Sequence, residues 1–251
     1  MESKRALVTG ASEGIGREFA LQLHRQGYQI TAVARNEVRL KALAAELGQG
    51  SKVLVADLAS DAGVKATMQE LQAGHYDLLV NNAGFAVSGN FLETSLDRQL
   101  QMVDVNVKAL VALAHAFLVQ AKSGDALINL SSGLAFLPMP SIGLYSATKA
   151  LVTSFSESLW YEQKSRGVYV MGLCPGITET NFHKNSGAPG EMTAPKAMVQ
   201  TAEQVVTKAL VELKARRKPT VLSGLMNGIF AFTTRFRSRK SVVTQMGSMA
   251  V

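Results

Sequence analysis

A short apolar run, Ala6-Leu7-Val8-Thr9, is followed at once by Gly10-Ala11-Ser12-Glu13-Gly14-Ile15-Gly16 and then by an amphipathic stretch ending at Arg25. So short a run is too brief for a helix and suits a strand buried on both faces. Glycines directly behind it allow a tight turn, and the periodicity that follows starts a helix. The same order returns at residues 30–34 and 37–47, at 53–56 and 61–72, and at 78–81 before a long helical stretch to about residue 122. Short apolar strands alternating with amphipathic helices predict an α/β fold: a single doubly wound, Rossmann-like parallel sheet with helices on both faces. No repeat or low-complexity segment interrupts this order.

With 251 residues, 47% of them hydrophobic, and no shift in composition, residues 1–251 are expected to form one domain. The chain runs from Met-Glu-Ser-Lys-Arg straight into the first strand, and its most apolar long stretch, 109–121, is interrupted by His115 and Gln120. Neither a signal peptide nor a membrane span is expected, and a cytoplasmic location is. The one cysteine, Cys174, excludes an internal disulfide. Its place at the end of an apolar run before Pro175 predicts a packed thiol rather than a nucleophile.

The glycine turn carries the first chemical inference. Free N–H groups and the dipole at the helix start favour anions, and glycines let the backbone approach a pyrophosphate, so a dinucleotide site is expected there. At the end of the second strand a free ribose 2′-hydroxyl calls for a carboxylate and a 2′-phosphate for a guanidinium. Arg35 stands there, 19 residues beyond Gly16, with no acid between Glu18 and Glu37. NADP(H) is therefore expected over NAD(H), unless Arg35 only caps a surface strand. Arg39 either assists or lies on the exposed face of the next helix.

The second inference concerns residues 126–149. The run Ala126 to Leu130 reads as a buried strand, which puts Ser132 at the strand's carboxyl end, the ligand edge of an open α/β sheet. Tyr145 and Lys149 are four residues apart on the following helix and share a face. A cation beside a phenol favours the phenolate and makes Tyr145 a candidate general acid or base. Taken alone the Tyr–Lys pair is equally well a surface pair; its meaning comes from the upstream motifs.

Together these segments resemble the short-chain dehydrogenase/reductase family from Arg5 to about Thr180. The resemblance implies cofactor contacts from Gly10, Ser12, Glu13, Gly14, Ile15 and Gly16 in the turn, and from Asp57 and Leu58 after the third strand. It also implies contacts from Asn82, Ala83 and Gly84 of Asn81-Asn82-Ala83-Gly84, and from Pro175, Gly176, Thr178 and Thr180 beside the nicotinamide. Asn106, Ser132, Tyr145 and Lys149 match the family's catalytic positions: Ser132 for the carbonyl oxygen, Tyr145 for the proton, Lys149 for the tyrosine and the nicotinamide ribose, and Asn106 for a water against the lysine. Glu13 departs from the basic residue that many NADP-dependent members carry, which leaves the phosphate to Arg35. Within the family, residues 128–149 resemble the branch acting on 3-oxoacyl thioesters and hydroxysteroids. No metal is implied.

An apolar rim is read at Phe85, Val87, Leu134, Phe136, Leu137, Met139, Phe182, Met192 and Met198, which suits a lipophilic ketone or acyl chain, although core packing accounts equally well for about half of them. Residues 181–193 read as a mobile substrate loop or lid. Residues 213–251 hold Lys214, Arg216, Arg217, Lys218, Arg235, Arg237, Arg239 and Lys240 and no acid, so the net charge of +7 resides in this tail. Between its basic clusters Leu225, Met226, Ile229, Phe230, Phe232 and Phe236 recur at helical spacing. Such a segment either covers the cleft or a subunit interface, or adds weak association with an anionic membrane or an acidic acyl carrier. No aromatic platform or reading helix supports nucleic-acid binding. The expected activity is NADPH-dependent carbonyl reduction by a homodimer or homotetramer assembled through the helices around 109–117 and 152–160. The alternatives are a non-catalytic NADP-binding sensor or scaffold and an alcohol or polyol dehydrogenase working oxidatively.

Overall fold

The computed structural model describes residues 3–187, 195, 198–224, 228, 233 and 236–249. Strands β1 (Arg5–Thr9), β2 (Gln29–Ala34), β3 (Lys52–Val55), β4 (Leu78–Asn81), β5 (Ala126–Leu130), β6 (Tyr169–Cys174) and β9 (Thr220–Leu222) form one parallel sheet in the order β3-β2-β1-β4-β5-β6-β9. The order turns around between β1 and β4, and this opens a crevice at their carboxyl ends where such sheets bind ligands. A separate two-stranded parallel pair joins β7 (Thr178–Glu179) to β8 (Gln200–Thr201).

The apolar runs do not alternate with polar residues because both sheet faces are covered. Ala6, Val8, Leu78, Val80, Ile128 and Met171 enter one core with Phe19 and Leu23 of α1 (Gly14–Arg25), Leu40 and Leu43 of α2 (Glu37–Leu47), and Val205 and Ala209 of α8 (Ala202–Ala215). The residues between them, Leu7, Leu79, Leu127 and Val170, enter the other core with Leu71 of α3 (Asp61–Gln72), Leu113 and Phe117 of α5 (Leu110–Gln120), and Leu159 of α6 (Gly143–Glu162). Emptying such a site, as in Phe117→Ala, costs about 3–5 kcal/mol. Helix starts follow local chemistry: Asn36 accepts from Arg39 N at 2.9 Å, and Thr201 and Gln204 form a reciprocal capping box at α8.

Three features depart from the sequence reading. Strand β3 lies at the sheet edge, so Val53 and Val55 are exposed rather than covered on both sides. Strand β9 adds a seventh strand from a segment that had no strand expectation. The long helix is α4 (Leu96–Val103) joined to α5 through a π-helical segment, Asp104–Ala109. By length and composition alone Leu96–Gln120 would be apolar enough to cross a membrane, yet Leu110, Leu113, Ala114 and Phe117 are buried in the second core.

Of the tail's apolar set, Leu225, Met226, Ile229, Phe230 and Phe232 lie outside the described residues, as does Arg235. The described end of the tail is helix α9 (Arg239–Met249), where Val242 and Met246 are buried against Leu137.

Candidate active site

Strand β5 ends at Leu130 and is followed by Ser131 and Ser132, and α6 packs alongside it. The Ser131 hydroxyl donates to the Lys149 carbonyl at 2.7 Å and lies 2.7 Å from Thr153 Oγ1, which ties the strand end to one turn of the helix. Tyr145, Thr148, Lys149 and Val152 share the buried face of α6, as their spacing requires. The Lys149 ammonium donates to the Leu130 carbonyl at 2.8 Å and lies 5.6 Å from the centre of the Tyr145 ring.

Burial governs the proton affinities here. It raises Tyr145 well above the usual phenol range, with a hydrogen bond involving Ser132 pulling the other way. It lowers Lys149 from 10.5 to about 8. Removal from water disfavours both charged forms, so within the protein alone desolvation outweighs the stabilisation of phenolate expected from the lysine. Cys174 is buried at the end of β6 with its thiol pushed up by desolvation, which fits a packed rather than reactive sulfur.

Asn106 sits in the π-helical segment and is fully buried. Its amide clips both backbone groups of Phe85, donating to the carbonyl at 2.9 Å and accepting from N at 3.0 Å, and donates to Thr148 Oγ1 at 3.2 Å. The side chain is thus engaged with Phe85 and Thr148 rather than with Lys149. Gly84 lies between them: a Cβ there would come within 2.9 Å of Asn106 Oδ1 and 3.4 Å of Lys149 Nζ.

The glycine turn is fitted to an anion. A Cβ on Gly16 would fall 2.3 Å from the Gly10 carbonyl, so the helix approaches the turn at a distance only glycine allows. At the start of α1 Glu13 caps no amide and the first turn holds no acid, which leaves the leading N–H groups free of side-chain acceptors. Ser12 is in this turn, and Ile15 packs into the first core. Asn82 braces it: N donates to Thr9 Oγ1 at 2.9 Å, and Nδ2 donates to the Thr9 carbonyl at 2.8 Å and to the Gly10 carbonyl at 3.3 Å. Ala83 N also donates to Thr9 Oγ1, at 3.0 Å.

At the expected adenosine edge, Arg35 Nε lies 4.0 Å from Asp57 Oδ1, and both side chains are largely exposed. Leu58 is buried in the second core, so its side chain faces away from this edge. Arg39 is not merely surface-exposed: Nη1 meets Glu13 Oε2 at 2.6 Å. Across the cleft, Gly133 N donates to the Pro175 carbonyl at 2.7 Å and Thr178 Oγ1 donates to the Gly176 carbonyl at 3.0 Å. Thr180 faces Gly14, where a Cβ would lie 3.2 Å from its methyl.

On the substrate side, Phe85, Val87, Leu134, Ile142 and Leu144 pack around Tyr145, Ala86 and Met102. Phe182, in α7 (Phe182–Asn185), brings its ring within 5.5 Å of the Tyr145 ring. Arg98 lies over the Phe85 ring at 4.7 Å. Leu137 does not rim this space: it is buried under α9, with Met139 packed beside it. Phe136 and Met198 are half-buried, and Met192 lies outside the described residues.

Several site residues escaped the sequence reading. Thr9 and Thr148 act through hydrogen bonds that spacing does not encode, and Asn181 and Asn185 meet Glu13 only because the chain folds back after β6. His75, Asp77 and Asp125 cluster at the opposite end of the strands, where Asp77 accepts from Arg5 N at 2.8 Å and Asp125 from Lys122 N at 2.6 Å.

Comparison with known proteins agrees with this geometry. A family model described as short chain dehydrogenase matches residues 4–190. An uncharacterised oxidoreductase of Staphylococcus epidermidis is 35% identical over 72% of this chain and 80% of its own. The human very-long-chain 3-oxoacyl-CoA reductase is 28% identical over 90% of this chain and 74% of its own. A short-chain dehydrogenase from Sphingobium yanoikuyae, solved in complex with NADPH, superposes with a TM-score of 0.81 at 30% identity, covering 94% of this chain and 97% of that one. The chain accordingly belongs to the short-chain dehydrogenase family.

Proposed function

We propose that this protein is an NADPH-dependent reductase of a lipophilic carbonyl compound, a ketone or a 3-oxoacyl group. The observation that carries the reading is the convergence of Ser132, Tyr145 and Lys149 at the carboxyl edge of the sheet, beside an uncapped helix start with Arg35 at its outer rim. The dinucleotide, when bound, supplies the hydride. Ser132 hydrogen-bonds the carbonyl oxygen as charge develops there. Tyr145, kept protonated by burial, delivers a proton to that oxygen. Lys149 offsets the phenolate left behind and holds the ribose beside it. Asn106 holds Phe85 and Thr148 in place around them. The apolar wall of Phe85, Val87 and Leu134 fits a lipophilic substrate, and the resemblance to a 3-oxoacyl-CoA reductase supports an acyl chain.

The complete Ser–Tyr–Lys set argues against a binding-only sensor, which needs no general acid. The oxidative direction uses the same groups in reverse. We further infer a homo-oligomer. Most of 109–117 and the face of 152–160 that carries Val152, Ser156 and Leu159 are buried in the protomer, so its contacts would come from Val111 and Val119 of α5 and Leu151 and Tyr161 of α6, which are exposed. The deciding experiment is NADPH oxidation across a panel of lipophilic ketones and 3-oxoacyl thioesters, with NADH in parallel. Turnover of a lipophilic member supports the reading. NADPH binding without turnover of any member would favour the sensor.

A further inference from the structure

Glu13 is the one acid in the cofactor turn, and its carboxylate faces neither an amide of α1 nor open solvent alone. Oε2 accepts from Arg39 Nη1 at 2.6 Å and from Asn181 Nδ2 at 3.0 Å, and Oε1 from Asn185 Nδ2 at 3.3 Å. The two asparagines bracket α7, Asn181 preceding its first residue and Asn185 ending it. A helix of four residues has little stability of its own and takes its position from what holds its ends. Between those ends is Phe182, whose ring leans on Tyr145 at an interplanar angle of 54°. An unbroken series of contacts therefore runs from Arg39, at the cofactor's outer rim, through Glu13 and α7 to the tyrosine.

We propose that Glu13 is a positioning residue: from the cofactor turn it holds α7, and Phe182 with it, over Tyr145, while Arg39 balances its charge. This rests on the reading of Tyr145 as the proton donor to a lipophilic substrate. It explains the departure from a basic residue in the turn. A lysine or arginine at position 13 would meet Arg39 with like charge and would offer the asparagine amides no acceptor. It also assigns the two arginines different duties, with Arg35 left for the phosphate and Arg39 committed in part to the turn.

The test uses the full chain with saturating NADPH and follows tryptic cleavage after the exposed Lys184 of α7, alongside ketone KM, kcat and the NADPH dissociation constant. Asn181→Ala combined with Asn185→Ala is expected to speed Lys184 cleavage and raise ketone KM by roughly three- to tenfold, the scale of two partly exposed hydrogen bonds, with NADPH affinity and kcat nearly unchanged. Glu13→Ala should speed Lys184 cleavage to the same extent, and Glu13→Gln, which keeps one carbonyl acceptor, should recover part of that protection. Arg39→Ala should leave cleavage at its original rate. Wild-type cleavage and KM in the double asparagine variant would overturn the proposal. So would a Glu13→Ala variant that loses NADPH affinity while Lys184 stays protected. The cleavage assay needs no turnover, so it judges Glu13 even if no ketone proves to be a substrate.

Discussion

Lys149 Nζ lies 5.6 Å from the centre of the Tyr145 ring while donating a 2.8 Å hydrogen bond to the Leu130 carbonyl. The lysine is fixed to the end of β5, beside the phenol ring. Burial of this ammonium, reflected in the fall from 10.5 to about 8, costs stability on the order of 3 kcal/mol. Its folded proton affinity is lower than its unfolded one, so the penalty is complete below pH about 8 and is relieved as pH rises from there toward 10.5. Lys149→Met should therefore abolish turnover yet raise the melting temperature at pH 7. The gain should shrink over that alkaline window, as thermal melts from pH 6 to 10 would reveal.

Tyr145→Phe removes one hydroxyl from a packed site. Turnover should drop at least about a hundredfold with NADPH affinity retained. Stopped-flow hydride transfer together with a binding titration checks this, and near-normal turnover would remove Tyr145 from its role.

Arg35→Ala should weaken NADPH binding about threefold or more and leave NADH nearly unchanged, because an exposed guanidinium on a phosphate is partly screened. Titrating both cofactors at two salt concentrations decides it. Equal losses would make Arg35 a partner of Asp57 only.

Met246→Ala should loosen α9 from Leu137 and Met139 and, through Leu134, the wall next to Ser132. Faster hydrogen exchange over residues 239–248 and a raised ketone KM, with NADPH affinity unchanged, are the expected results.

The basic tail makes a separate prediction. Arg237 donates to Ser241 at 2.8 Å and is exposed, as are Arg239 and Lys240. Each such cation near an anionic bilayer contributes up to about 1 kcal/mol. Co-sedimentation with anionic vesicles at low salt, lost at high salt and absent on neutral vesicles, is expected. Changing Arg235, Arg237, Arg239 and Lys240 to Gln should abolish it, and binding unaffected by that change would discard the idea.

What could be read without coordinates was whatever period and spacing encode. The strand–turn–helix order, the glycine turn and the shared face of Tyr145 and Lys149 are local, and each lies within one or two elements. Edge position is a relation between strands, so the exposure of Val53 and Val55 left no local trace. The same holds for Glu13, whose partners Asn181 and Asn185 are more than 160 residues away. The burial that raises Tyr145 and lowers Lys149 comes from packing on all sides, whereas a sequence motif speaks only for the general tendency of a neighbouring cation to favour a phenolate.

The π-helical segment at Asp104–Ala109 works as a phase shifter. Upstream of it the helix buries Gln99 and Met102; downstream it buries Leu113 and Phe117. The wide turn absorbs an angular offset that a uniform α-helix would carry forward. Removing one residue from 104–109 would convert the wide turn to regular α-helix with Phe117 kept on its buried face, whereas removing one from the α-helical turns on either side would rotate everything beyond by about 100° and swing Phe117 toward solvent. A single-residue deletion is therefore expected to be far better tolerated within 104–109 than in the turns that flank it, a difference that acts through geometry alone and that thermal melts of the two deletions would reveal.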